Sequence, residues 1–412
     1  MKEVFRQPDF QKLFYSNLFS GFGVGMSMIG ISWHLVKESG SAQVLGSTMF
    51  ISAVLSFFIV PYIGTLIDRY SRKNILLQIN AAGFIVIGLC ALWGYTADYN
   101  QWMLIGVFLV TNLIMQVHYP TQSALVQESF ADRHYNSINS LLEIESQTAS
   151  VLAGGISGII LESMGLPFVL LFDALTYLFA FFLLSRMNYT FTLNKRNQAN
   201  GRKNWLHQLG DSWIFVREKK GFVLFGITAF LPFVAVMVGN LLAPVFVSQT
   251  LKADVIIFSA HEMTYAIGAV AAGFLIIRLS EKVGNMRAMI ANMMLFALTL
   301  VCIVALPYGW MFVFLTTFLG WGNASVRLVR QNLYMRMVPK EHMGRVLSFF
   351  QSIGMLMRLL LLGLFTVLVD WTGAGTGYLI LAVLVFAGAI GCYYSMRILL
   401  VGERGTIRTT EQ

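Results

Sequence analysis

The stretch Gly64-Thr65-Leu66-Ile67-Asp68-Arg69-Tyr70-Ser71-Arg72-Lys73 packs one acid and three bases into its last six positions. Apolar runs of roughly 42–67 and 74–96 flank it, each long enough to cross a bilayer as a helix, which takes about 20 residues. The stretch therefore reads as the loop between two membrane spans. A second version, Gly273-Phe274-Leu275-Ile276-Ile277-Arg278-Leu279-Ser280-Glu281-Lys282, lies about half the 412-residue chain further on. Aligned on their glycines, Arg69 matches Arg278 and Lys73 matches Lys282, while Ile277 replaces Asp68. A duplication that places the same loop in each half predicts two parallel repeats.

Composition extends this reading to the whole chain. Hydrophobic residues make up 57% and charged residues 12%, against roughly 25% charged in soluble domains. Mean hydropathy is +0.68. These values exclude a soluble enzyme, a disordered chain and a secreted disulfide scaffold. Twelve spans are expected, at about 11–36, 42–67, 74–96, 101–126, 138–163, 166–187, 221–250, 256–279, 286–306, 309–337, 343–370 and 375–400. The runs are too long for barrel strands and lack their alternation. The predicted fold is an all-α membrane protein of 12 transmembrane helices in two pseudo-symmetric six-helix bundles, 1–187 and 221–400. A linker, 188–220, joins them, and 401–412 forms a tail.

The net charge of +9 could suggest nucleic acid, but 24 of the 29 Lys and Arg fall on one side of these spans. That asymmetry places both termini on the cytoplasmic side and leaves no nucleic-acid partner. The first apolar run ends at Lys37-Glu38 without a small-residue cleavage site, so it is expected to be retained. In the linker, Trp205, Leu206, Leu209, Trp213 and Val216 recur at helical spacing before Arg217, Lys219 and Lys220. They predict an interfacial helix on anionic lipid. Cys90, Cys302 and Cys392 sit inside apolar runs and read as packing residues.

The pattern G-x-x-x-D-R-x-x-R-K formed by Gly64, Asp68, Arg69, Arg72 and Lys73 resembles the loop signature of the major facilitator superfamily. Ser71 stands where that signature often carries glycine. Three further stretches resemble the macrolide-efflux and enterobactin-exporter branch of its drug:proton antiporters. They are Val117-His118-Tyr119-Pro120-Thr121, Leu171-Phe172-Asp173-Ala174-Leu175-Thr176-Tyr177, and Pro339-Lys340-Glu341-His342-Met343-Gly344-Arg345-Val346. The resemblance implies a major facilitator fold whose halves alternate around a central cavity lined by spans one, four, seven and ten. It gives the charged loops a gating role, assigned to Gly64, Asp68, Arg69, Arg72, Lys73 and Arg278. Arg330 is added as a cap on an inner gate.

Polar residues inside apolar helices are costly, so their spacing is informative. In span ten, Asn323, Arg327, Arg330, Gln331 and Tyr334 share one helical face. Arg327 lies about 15 Å deep and Arg358, in span eleven, about 22 Å. Span four carries Asn112, Gln116, Tyr119 and Ser123 on one stripe, and span one offers Asn17, Ser20, Ser27 and His34. The expected substrate contacts are Asn17, Asn112, Gln116, Tyr119, Asn323, Arg327, Gln331 and Arg358. An arginine cannot shed its proton at working pH, so Arg327 and Arg358 need an anion: a protein carboxylate or the substrate. Glu143, Glu145, Asp173 and Glu262 are the candidates for proton coupling, with a helix–helix hydrogen bond as the plainer role for Asp173. His34 and His118 read as hydrogen-bonded structural residues. Ala153-Gly154-Gly155-Ile156-Ser157-Gly158 suits close helix packing.

No enzyme chemistry, cofactor site or metal cluster is visible, and no phosphate-binding glycine loop suggests ATP as the driver. The expected function is secondary active export of a small molecule by a monomer embedded in lipid, with protons as coupling ion. The arginines favour an anionic metabolite such as a carboxylate siderophore. The alternative is a broad drug or macrolide efflux pump. A lipid flippase or a receptor without transport ranks last, for want of an extramembrane domain.

Overall fold

The computed structural model describes residues 2–190, 221–338 and 340–410. The linker with its expected interfacial helix, the Pro339–Arg345 motif's side chains and the Asp68 side chain lie outside the described residues. Among the described residues there is no strand. The first half opens with α1 (Pro8–Ser39), α2 (Ala42–Arg69), α3 (Arg72–Gly94) and α4 (Gln101–Ser129). Tyr135–Ser185 is continuous except at Gly165 (φ 79, ψ 172), which divides α5 (135–164) from α6 (166–185). In the second half, α7 comprises Phe222–Thr228 and Leu231–Val245, extended by a π-turn over Phe246–Thr250. Then come α8 (Val255–Val283), α9 (Asn285–Ala305) and α10 (Gly309–Met337). Lys340–Thr410 breaks at Gly373 (φ 80, ψ 158) into α11 (340–372) and α12 (374–410).

The duplication is written into the backbone. Gly165 and Gly373 hold nearly the same dihedrals at equivalent places in the two halves. That region of φ and ψ is open to glycine alone, so one residue does the work of a loop between consecutive spans. Gly40 after α1 and Lys252 after α7 likewise both have positive φ. Local chemistry starts the helices: Ser41, Ser71 and Asn100 accept hydrogen bonds from the backbone N–H of Gln43, Asn74 and Trp102. Ser71, the departure from the loop signature, is thus the N-cap of α3.

One expectation is corrected. Arg278 and Lys282 do not occupy a loop; both lie inside α8, which runs on to Val283. No residue between Gly273 and Lys282 stops a helix, so the turn falls at Gly284, whose φ of 94 permits it.

The chain divides into two compact units, 1–194 with 247–266, and 195–246 with 267–412. In the first, α1 packs along the α5–α6 hairpin, α3 lies on the same hairpin, and α4 bridges α2 and α3. Phe10, Leu13, Leu76, Leu125, Ile138 and Leu184 form an apolar cluster where α1, α3 and α5 begin and α4 and α6 end. The 247–266 segment packs on the same unit. Gly154 and Gly158 of α5 face Met263 and Ser259 so closely that no Cβ would fit. Gln249 donates to the Gly40 carbonyl at 3.0 Å, and Phe258 stacks on Trp33 with centroids 5.7 Å apart. In the second unit, α9 packs on α10 and on the α11–α12 hairpin, which also holds α7.

Candidate functional site

Inside the first unit, α1, α3, α4, α5 and α6 enclose a cavity of about 470 Å³, within the roughly 300–1,000 Å³ of small-molecule sites. Helix α1 contributes Asn17, Ser20, Gly21 and Gly25, and α4 contributes Met115, His118, Tyr119, Gln122 and Ser123. From α5 come Asn139, Glu143, Glu145 and Ser146, with Asn80 from α3 and Tyr177 from α6. The α4 residues follow the spacing of one helical face. Pro120 lies within this stretch of α4 and removes a backbone hydrogen bond at the level of the cavity.

Glu145 is 5% exposed. Asn17 faces it, yet neither amide atom of Asn17 has a hydrogen-bond partner among the described residues. The Glu145 carboxyl is close enough to α1 that a Cβ on Gly21 would stand 4.0 Å from Oε1. Tyr119 lies near Glu145 and Ser146. Glu143, on the exposed side of α5, accepts from Gln147 at 3.2 Å. Such a wall can hold a proton, a cationic group or neutral hydrogen-bonding groups.

Of the residues expected to meet substrate, Asn17 and Tyr119 line this cavity, while Asn112 and Gln116 do not. Asn112 instead donates to the Phe108 carbonyl of its own helix at 2.9 Å. The cavity adds His118, Gln122, Ser146, Asn80 and Asn139. His118 and Gln122 are one turn apart on α4, a signal present in the sequence but overshadowed by the neighbouring stripe. Asp173 is fully buried behind the cavity. Ser27 faces it from α1, and the Ser27 hydroxyl and Asp173 Oδ2 have no hydrogen-bond partner among the described residues. Glu262 lies on the 247–266 segment, 3.6 Å from His261.

The expected gating residues sort by partner. Arg72 pairs at 3.4 Å with Glu128, at the end of α4, a residue the sequence reading missed. Tyr189 donates to the same carboxylate; burial first, then Glu128, pushes its hydroxyl up to about 12. Lys73 donates to the carbonyls of Ser185 and Met187, and Lys12 to that of Arg186, so cations cap the C-terminus of α6. Gly64 and Arg69 sit exposed near the end of α2, and Arg278 is exposed on α8.

In the second unit, Asn323, Arg327, Arg330 and Gln331 lie along α10. Arg330 is buried and donates to the Ala229 carbonyl at 2.8 Å, with its guanidinium 3.7 Å from the Phe230 ring centroid. Those two residues are the interruption between the segments of α7, where Pro232 starts the second. Arg330 therefore satisfies a carbonyl that the helix break releases. Tyr334 stacks on Phe350 and meets Phe222 and Phe225 edge-to-face. Arg327 is exposed. Arg358 is partly buried, and its Nε has no hydrogen-bond partner among the described residues.

A duplicated helical bundle with a polar cavity can now be set beside known proteins. The family profile of the Major Facilitator Superfamily matches residues 13–239 and again 224–410. The chain belongs to this superfamily. It is accordingly a multi-pass membrane transporter with the 12-helix fold of that family, not an enzyme, and it handles a small-molecule substrate. It is 20% identical to macrolide efflux protein A of Streptococcus pyogenes over 373 residues, covering 88% of this chain and 90% of that one. It is 22% identical over 279 residues to the uncharacterized MFS-type transporter YvqJ of Bacillus subtilis, covering 65% of this chain and 64% of that one. In fold it resembles a bacterial homologue of the iron transporter ferroportin, with TM-score 0.70, 14% identity and 95% and 98% of the two chains covered. It also resembles the nucleoside transporter NupG, with TM-score 0.72, 14% identity and 94% and 100% covered.

Proposed function

We propose that this superfamily member is a proton-coupled exporter of amphipathic organic molecules, neutral or cationic, in a bacterial inner membrane with both termini inside. The observation that carries the reading is the 470 Å³ cavity walled by Glu145, Asn17 and Tyr119. Glu145 is buried and has no ion-pair partner among the described residues, so a proton or a substrate cation can neutralise it, each excluding the other. Exchange of one for the other is the elementary step of antiport. A membrane potential of 100 mV supplies about 2.3 kcal/mol per charge moved, enough for modest concentrative export. The similarity to macrolide efflux protein A supports substrates of this class.

A second reading, export of an anionic metabolite such as a carboxylate siderophore, is favoured by one observation: Arg358 keeps a buried Nε without a hydrogen-bond partner. Uptake into everted membrane vesicles separates the two. A lipophilic cationic dye and a macrolide should accumulate under an imposed proton gradient, and Glu145→Gln should reduce that uptake to background. Accumulation of a citrate-type siderophore instead, unaffected by Glu145→Gln, would overturn the first reading for the second.

A further inference from the structure

We propose that Tyr189, at the root of the linker, is a positioning residue for Arg72. Its phenol shares one Glu128 oxygen with the guanidinium and so couples the linker to the charged loop between α2 and α3. Arg72 pairs with Glu128 Oε2 at 3.4 Å, and the Tyr189 hydroxyl donates to the same oxygen. The Arg72 guanidinium also lies against the Tyr189 hydroxyl. The three side chains come from α3, α4 and the linker, so displacing any one of them disturbs the other two.

The root of the linker is gripped residue by residue over 185–189. Lys73 donates to the carbonyls of Ser185 and Met187 at 2.8 and 2.7 Å, and Lys12 to that of Arg186 at 2.7 Å. Asp9, paired with Lys12 at 2.9 Å, accepts from the Asn188 backbone N–H at 3.1 Å. Tyr189 completes the series on Glu128. Met187 is 2% exposed and, with the Tyr189 ring, packs on the apolar cluster of Phe10, Leu76 and Leu125. Capping accounts for the first three residues, because carbonyls at a helix end need donors. It does not account for Asn188 and Tyr189, which lie beyond the end of α6.

The Arg72 and Glu128 side chains are only 15% and 16% exposed. Separating a pair this buried is costly, because each charge is left desolvated. In a gating role, the guanidinium must change partners between states. The phenol lowers the cost of that exchange, since it stays on Oε2 and the carboxylate keeps a donor. Burial, then Glu128, holds the Tyr189 hydroxyl at about 12, so it remains a donor across the working pH range. Arg72 and Lys73 open α3 side by side. Lys73 grips the root of the linker directly and Arg72 does so through Glu128 and Tyr189, so a displacement of the linker reaches the charged loop at two adjacent residues.

Hydrogen–deuterium exchange of the full chain in lipid nanodiscs tests this without requiring a substrate. Tyr189→Phe keeps the ring on the apolar cluster and removes only the hydroxyl. It should speed exchange at least about threefold in peptides covering 185–190, 70–75 and 125–130. Glu128→Ala should speed the same three, and Tyr189→Phe should add nothing further in that background. A change confined to 185–190, or none at all, overturns the proposal, since a merely structural anchor acts on its own segment. Additive effects in the double variant overturn it too. In everted vesicles, Tyr189→Phe should lower the maximal rate of dye uptake at least about threefold with KM unchanged; a raised KM at an unchanged maximal rate overturns the positioning role. The proposal rests on the exporter reading only through this last measurement. Failed dye uptake by the wild-type chain would sink that reading alone, and the exchange pattern would still decide this one.

Discussion

The first half of the molecule surrounds a cavity with Asn17, Tyr119, Glu143 and Glu145 and leaves Asp173 caged behind it; the second half spends its buried cation on its own backbone. Arg330 is committed to the Ala229 carbonyl and the Phe230 ring, whereas buried Glu145 faces Asn17 and has no ion-pair partner among the described residues. The halves share helix order and the glycine reversals at Gly165 and Gly373, so the difference lies in side chains and in the break that interrupts α7. A buried charge with its partner in place holds a fold together. A buried charge without one is a cost that the fold tolerates, and such groups are the ones free to exchange protons or ligands.

Mutations can break or sharpen this contrast. The largest effect should come from Gly23→Leu, which drives a side chain into Thr176 and Asp173, where even a Cβ would stand within 3.0 Å of the Asp173 backbone. Overpacking of this kind costs about 1–3 kcal/mol or more, seen as a lower thermal midpoint of the purified protein in nanodiscs. Arg330→Met should come next. It removes a charge-assisted hydrogen bond and leaves the Ala229 carbonyl unpaired, costing about 1.5–3 kcal/mol of stability while sparing dye affinity. Glu145→Gln, by contrast, should leave the thermal midpoint unchanged or higher while abolishing coupled uptake. If both variants destabilised equally, the distinction between committed and uncommitted charges would fail. The smallest effect is expected for Arg358→Gln: stability within about 1 kcal/mol and unchanged dye uptake. A loss of siderophore affinity there would move the substrate contact to the second half.

How much was legible depended on the kind of signal. Spans and reversals were, because apolar length is counted along the chain, and the boundaries near 163–166 and 370–375 bracket Gly165 and Gly373. The α4 stripe was half legible. Periodicity identified a polar face, but the cavity meets the face of His118, Tyr119 and Gln122, so Asn112 and Gln116 fall outside it. Arg330 was legible as a buried cation but not its partner, since a carbonyl released by a break in α7 leaves no residue type to recognise. Glu128, which pairs with Arg72, was missed because an acid at a helix end has no distinctive pattern. The expected loop position of Arg278 failed because the continuation of α8 to Gly284 outweighed the analogy with the first half.

By itself the sequence determined the class of the molecule, its helix order and its duplication, since these follow from hydrophobic length, glycine placement and charge asymmetry, all local properties. Only the tertiary structure decided which polar groups meet. Glu145 and Asn17 lie on different helices, as do Arg330 and Ala229, and no period along the chain encodes the packing that brings one pair to a cavity and the other to a broken helix.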